Sequence, residues 1–158
     1  MEIERAERIA KAIIEKLEPY CERVEVAGSI RRRKPDPRDV DIVLIPKDLW
    51  NLHNEIMGLC KPFPATMSGK KIMRIKVNGT QIDFYFADET TRATLLLIRT
   101  GSVENNIRLC GIAKKKGWHL AASGDGLFDE NGVRIAGNTE QSIYAALGLQ
   151  YQEPPERG

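Results

Sequence analysis

Cysteine is scarce in this chain, and its placement excludes two functional classes. Cys21, Cys60 and Cys110 lie far apart, with no CxxC pair and no closely spaced histidine, so neither a disulfide framework nor a zinc site is expected. Histidine is limited to His53 and His119, both read as ordinary residues. Long hydrophobic runs are missing too. Nothing approaches the roughly 18 apolar residues of a membrane-spanning helix, and the start MEIERAERIAKAI has neither a signal-peptide core nor Arg/Ser-rich transit character. No membrane association is expected, and a cytosolic location follows by default. Charge of one sign is also lacking: 24 Lys and Arg face 22 Asp and Glu, a net +2 that does not by itself point to nucleic acid. There is no GxSxG, HExxH or GxxxxGK[ST] motif, so hydrolase and P-loop readings lack support. What remains is 158 residues, 42% hydrophobic and 29% charged, enough for one modest core or two small ones. Nothing in it demands an obligate interface, so a monomer is expected.

The distribution of charge says more than its sum. Arg31, Arg32, Arg33, Lys34 and Arg38 crowd residues 31–38 against Asp36, and residues 92–116 hold three arginines and three lysines against Glu104. Either stretch alone reads as a solvated face. Around them the periodicities define elements. Ile3, Ala6, Ile9, Ala10, Ile13, Ile14 and Leu17 recur at helical spacing, and Pro19 ends that helix. A short apolar stretch, 24–27, reads as a strand leading into Gly28-Ser29, and 40–45 as a buried strand stopped by Pro46. Residues 48–60 form a possible helix, and 61–71 read as a loop or hairpin punctuated by Pro and Gly. Residues 72–77 and 81–86 are strands joined through Asn78-Gly79, a strong hairpin signal. Beyond 88 the texture changes: helices are expected at 91–98 and 105–116, a hairpin in GDGLFDENGVRIAG, and a helix in QSIYAALG closed by Gly148. The tail YQEPPERG reads as extended. The expected fold is α+β, with a mixed β-sheet backed by helices over residues 1–88 and a small α+β domain over 89–158.

Asp39 and Asp41 stand two apart on an expected strand, so both side chains leave one face. Two carboxylates a few ångströms apart repel each other unless a cation sits between them, and oxygen-only ligation favours magnesium, with manganese able to take its place. Asp83 has the same geometry on 81–86, between Gln81 and Tyr85, and can join the site from a neighbouring strand. A DxD is weak evidence alone, because strand-end aspartates often bind only backbone amides or solvent. The segment upstream strengthens it. Gly28 permits close approach to a phosphate, Ser29 supplies a hydroxyl, and arginine is matched to phosphate oxygens by its planar fork. A phosphate cradle beside a carboxylate set predicts metal-assisted phosphoryl transfer, with one ion lowering the pKa of an attacking hydroxyl and the other neutralising a triphosphate.

These segments resemble a known family. GSIRRRKPDPRDVD (28–41), QIDFYF (81–86) and TGSVENN (100–106) are similar to the catalytic set of family X DNA polymerases, and TEQSIYAALGLQYQEPPERG to that family's C-terminal segment. The resemblance implies a nucleotidyltransferase-type palm followed by a clasping domain, called thumb or fingers. It implies that Asp39, Asp41 and Asp83 bind two magnesium ions, with Asp83 helping to activate the primer 3′-hydroxyl. Gly28, Ser29 and Arg32 match positions that hold the incoming nucleoside triphosphate, and Gly101 and Asn106 match positions beside its sugar and base. A surface role for Asn106 on a helix is the plain alternative.

The departures bear on function. Ile98-Arg99 stands where the family often has an aromatic pair, which leaves deoxy- against ribonucleotide selectivity open. Cys110 replaces an arginine that probes the templating base, which leaves template dependence open, and Gln81 stands where relatives carry an arginine. The chain begins at the helix preceding the catalytic strands, so the family's N-terminal lyase domain and its 5′-deoxyribose-phosphate lyase activity are not expected. The leading expectation is a distributive DNA polymerase for short-gap filling in DNA repair, binding primer-template DNA weakly and with strong salt dependence. The alternatives are a template-independent terminal transferase, a nucleotidyltransferase acting on a small molecule or protein, and a DNA-binding module without catalysis.

Overall fold

The computed structural model describes residues 1–60, 65, 67–69 and 71–158. Helix α1 (Ile3–Leu17) buries Ala6, Ala10, Ile13 and Leu17, which share one side of the helix, and a short 3-10 turn carrying Pro19 ends it. The chain then runs through β1 (Cys21–Val26), one helical turn α2 (Gly28–Arg31), β2 (Val40–Pro46) and α3 (Leu49–Leu59). Strand β1 starts three residues earlier than its apolar stretch implied, because Cys21 to Arg23 pair across to β2 despite their polarity. The loop or hairpin expected at 61–71 lies largely outside the described residues. Of the remainder, β3 (Met67–Ser68) pairs with β4 (Ile72–Val77), which turns into β5 (Thr80–Phe86). The turn has positive φ at both Asn78 (50°) and Gly79 (81°), the backbone that matches strand twist in a two-residue hairpin.

The five strands form a mixed α+β sheet in the order β1-β2-β5-β4-β3, antiparallel except for the central pair β2 and β5, which run parallel with Asp41 beside Asp83. Alternation then divides the faces. Ile42, Leu44, Ile75, Ile82 and Phe84 point to one side, where α1 and α3 cover them with Ala10, Ile13, Leu52 and Ile56. Val43 and Tyr85 point to the other, under Leu95 and Leu96 of α4 (Arg92–Thr100). Asp41 and Asp83 share this second face.

After α4 come α5 (Val103–Lys115), a small antiparallel sheet of β6 (His119–Leu120), β7 (Leu127–Phe128) and β8 (Arg134–Ala136), and α6 (Glu140–Ala146). Strand β6 has too short an apolar stretch to announce itself. A further core gathers Leu97, Leu109, Leu120, Leu127, Ile143 and Tyr144. Helix α6 opens with a capping box in which Thr139 and Ser142 exchange hydrogen bonds. Among the described residues no helix is long and apolar enough to cross a membrane.

The C-terminal tail is not the extended strand expected of it. Residues Pro154–Arg157 form a 3-10 turn, and Arg157 is 2% exposed. Its Nη1 donates to Glu140 at 2.8 Å, and its guanidinium lies near the Tyr144 and Tyr151 rings. Glu140 also accepts from Arg31 Nη1 and Nη2, at 2.8 and 2.6 Å, so α2 and the tail are fastened to α6 through one carboxylate. Burial works against that charge, but hydrogen bonding from Arg31 and the charge of Arg157 outweigh it and hold the carboxyl below its ordinary range. Its contribution to stability is therefore present above the ordinary glutamate range and lost as pH falls through the lowered value. Glu140→Ala leaves two arginines facing each other without compensation. We expect it to destabilise the fold by about 3–5 kcal/mol in urea denaturation near neutral pH.

Candidate active site

The site grows from the end of β1. Ala27 N donates to Asp41 O at 2.8 Å, which brings the following turn directly over the Asp41 side chain. Gly28 has φ +62°, and a Cβ added there would fall 2.2 Å from Asp41 Oδ2. Only glycine admits both the turn and the carboxylate beneath it.

Two of the expected carboxylates share one rung here, and the third lies just before it in the chain. Asp41 lies on β2 and Asp83 beside it on β5, within the roughly 4.8 Å spacing of neighbouring strands. Asp39 sits in a bend just before β2 rather than on the strand, a correction to its expected place, because strand pairing begins only at Val40. The three carboxylates still feel one another. Burial, then the charges of Asp39 and Asp83, push the Asp41 carboxyl up to about 7. Burial and then Asp83 raise Asp39 in turn. The Tyr85 hydroxyl donates to Asp41 Oδ1 at 3.3 Å, and the Arg99 guanidinium, 4.3 Å over the Tyr85 ring, further offsets the charge.

Asp83, 3% exposed, accepts from Arg74 Nε at 2.7 Å, from Arg74 Nη2 at 3.3 Å and from Gln81 Nε2 at 3.2 Å. Among the described residues no group of three or more His, Cys, Asp and Glu side chains is drawn together as a metal-holding set. Asp83 is engaged by Arg74, so its oxygens face a cation of the protein. The donor chemistry nevertheless suits a hard divalent cation, with carboxylate oxygens only and an Asp41 whose negative form is disfavoured first by burial and then by the charges of Asp39 and Asp83.

Beside the carboxylates lies a cleft of about 370 Å³ lined by Ser29, Arg32, Arg99, Gly101 and Asn106 among others. The cleft thus gathers every residue expected to touch a nucleotide. The arginine run does not act together, however. Arg31 is committed to Glu140 and to Thr100 Oγ1, and Arg33, with φ 60°, turns outward to Glu7. Of the three, Arg32 enters the cleft, donating through Nη1 to Thr100 O at 2.6 Å, while its Nε is buried with no hydrogen-bond partner among the described residues. Asn106 donates to Ile98 O at 2.8 Å, and its Oδ1 is left unpartnered. Arg99 Nε is unpartnered as well.

Two site residues escaped sequence reasoning. Arg99 was legible only as the loss of an aromatic side chain. Arg74 could have been found, because the two-residue turn at Asn78-Gly79 fixes the hairpin register, and three rungs beyond Val77–Thr80 it sets Arg74 opposite Asp83.

Comparison with known proteins finds two similarities. Residues 95–158 match the family described as DNA polymerase beta thumb. Over 154 residues, 94% of the chain, the sequence is 26% identical to DNA polymerase/3'-5' exonuclease PolX of Bacillus subtilis (strain 168). The chain is family X polymerase-like. It spans 27% of the length of that relative. The thumb match begins within α4 and takes in Ile98 to Gly101, Val103 and Asn106, which form one wall of the cleft, and beyond them the small sheet and the tail.

The raised Asp41 carboxyl has a consequence for stability in this family X polymerase-like chain. Unfolded, it titrates near 3.8; folded, near 7. Between those values the folded chain holds more protons, so its stability falls as pH rises through that window. Asp41→Asn removes the effect. In calorimetry with a chelator present, its melting temperature is expected to gain on the wild type as pH rises from about 4 to 7, by on the order of 10 °C.

Proposed function

We propose that this chain carries a palm, residues 1–88, and a clasping thumb, 89–158, and adds nucleotides to a primer 3′-hydroxyl as a DNA polymerase. The supporting observation is the placement of Asp41 and Asp83 on one rung beside a cleft whose buried guanidinium and amide atoms lack partners. Arg32 and the Ser29 hydroxyl receive the triphosphate of the incoming nucleotide, and Gly28 lets the backbone approach it. Gly101 and Asn106 border its sugar and base. Asp39, Asp41 and Asp83 would hold magnesium or manganese, which lowers the pKa of the attacking hydroxyl and offsets charge on the departing pyrophosphate. In the transfer, the 3′-oxygen bonds to the α-phosphorus, the bond from that phosphorus to pyrophosphate breaks, and the hydroxyl proton passes to the Asp83 carboxylate. For that, Asp83 must release Arg74.

Two small lobes offer DNA mostly phosphate contacts, so synthesis is distributive and suited to short gaps in repair. A template-independent terminal transferase is the second reading. It is favoured by the cleft-side run of α5, where Val103 and Ile107 are exposed and the half-buried Cys110 takes the place of an arginine.

Extension of a primer across a one-nucleotide gap, with each nucleotide offered singly, tests both. The proposal predicts preference for the complementary nucleotide, and a loss of about 10²-fold or more in Asp41→Ala and Asp83→Ala. Addition indifferent to the opposing base selects the terminal transferase. No addition by the wild type, or full activity of either variant, contradicts the polymerase reading.

A further inference from the structure

The rung that carries Asp41 and Asp83 continues into β4, where Arg74 pairs with Asp83. Asp83 therefore stands between a carboxylate on one side and a guanidinium on the other, all three on one face of the sheet. Its oxygens have turned to the guanidinium. Arg74 meets both of them side-on, Nε with Oδ1 at 2.7 Å and Nη2 with Oδ2 at 3.3 Å, and Gln81 adds a donor to Oδ2 at 3.2 Å. The two partners differ in their access to water: the Asp83 side chain is 5% exposed and the Arg74 side chain 38%. The carboxylate is confined to the rung, whereas the guanidinium can withdraw into solvent.

We infer that Arg74 is a positioning residue that competes with a divalent cation for the Asp83 carboxylate, and so sets the cation concentration at which the site is complete. The inference rests on the metal-dependent reading above. A fork presented to both oxygens covers the lone pairs that a cation shared with Asp39 and Asp41 needs. A dication within ligand distance of Asp83 also lies close enough to the guanidinium to be repelled by it, so the two partners exclude each other. Without a cation, the same contact gives Asp83 a counter-charge on the side away from Asp41. When a cation arrives, water at the exposed guanidinium compensates for the broken pair, because an ion pair open to solvent contributes little. Asp83 thus has two alternative partners on opposite sides, and only one of them leaves it available to the cleft.

Titration of the full chain with manganese, following the free ion by electron paramagnetic resonance, tests this without primer or nucleotide. Arg74→Gln, which keeps a polar side chain but removes the charge and the fork, is expected to bind the ion about tenfold more tightly than the wild type. Arg74→Lys, which keeps the charge but not the fork, should fall between them, and it serves if the glutamine variant fails to fold. In an Asp83→Asn background there is no carboxylate to contest, so Arg74→Gln should tighten binding by about twofold or less. Unchanged or weaker binding in Arg74→Gln, with the wild type still taking up the ion, overturns the inference and leaves the metal reading standing. An equal gain in the Asp83→Asn background also overturns it, because the arginine then acts through its charge alone. No binding by the wild type or by Arg74→Gln overturns the inference together with the metal reading.

Discussion

Mutual repulsion among Asp39, Asp41 and Asp83 is the constraint around which the rest of the structure is arranged. Asp41 and Asp83 occupy one rung of the parallel pair β2 and β5, so backbone pairing fixes their separation and neither can retreat without breaking the sheet. Around them the chain supplies compensation in layers. Arg74 faces Asp83 from β4, Tyr85 donates to Asp41, and Arg99 lies over Tyr85. Burial first, and then the charges of Asp39 and Asp83, still raise the Asp41 carboxyl to about 7. Protein folds tolerate such stored repulsion chiefly where it serves chemistry. Gly28 belongs to the same logic, because its missing side chain leaves room for the carboxylate that repulsion would otherwise push away.

The fastening of the two lobes follows a different physics. Glu140 gathers Arg31 from α2 and Arg157 from the tail, all largely withdrawn from water. This clamp sets the end of α2 against Thr100, and so fixes where Arg32 meets the Thr100 carbonyl. One arginine of the run is thus spent on geometry so that its neighbour can face the cleft. The division explains why a run of three arginines sends one guanidinium into the cleft, and why the charge of the run overstates its share in binding an anion.

Much of the fold was legible because its signals are local. The spacing from Ala6 to Leu17 gives α1, Asn78-Gly79 gives the hairpin, and β-branched residues mark β2. Asp41 and Asp83 could be placed on one face from alternation alone. What escaped depends on contacts between distant segments. Nothing near Arg157 announces that it will be buried on Glu140, and nothing near Arg31 separates it from Arg32. Polar Cys21–Arg23 joined a strand because β2 offered it partners, and His119–Leu120 did so because β7 did. Asp39 fell just off its strand, since an alternating pattern shows which residues share a face and not where pairing begins. Arg99 is the instructive case: set against the expected motif it is an absence, and only the fold shows its guanidinium stacked on Tyr85 at the edge of the cleft.

The central claim is that the unbalanced carboxylates are built to receive a divalent cation in contact with the cleft. Crystals soaked in manganese, examined by anomalous scattering, test it most directly. The account predicts an anomalous peak within ligand distance of Asp39 and Asp41, with Asp83 turned from Arg74 toward the ion. Diffraction that shows no peak there, with Asp83 still held by Arg74 at saturating manganese, would contradict it.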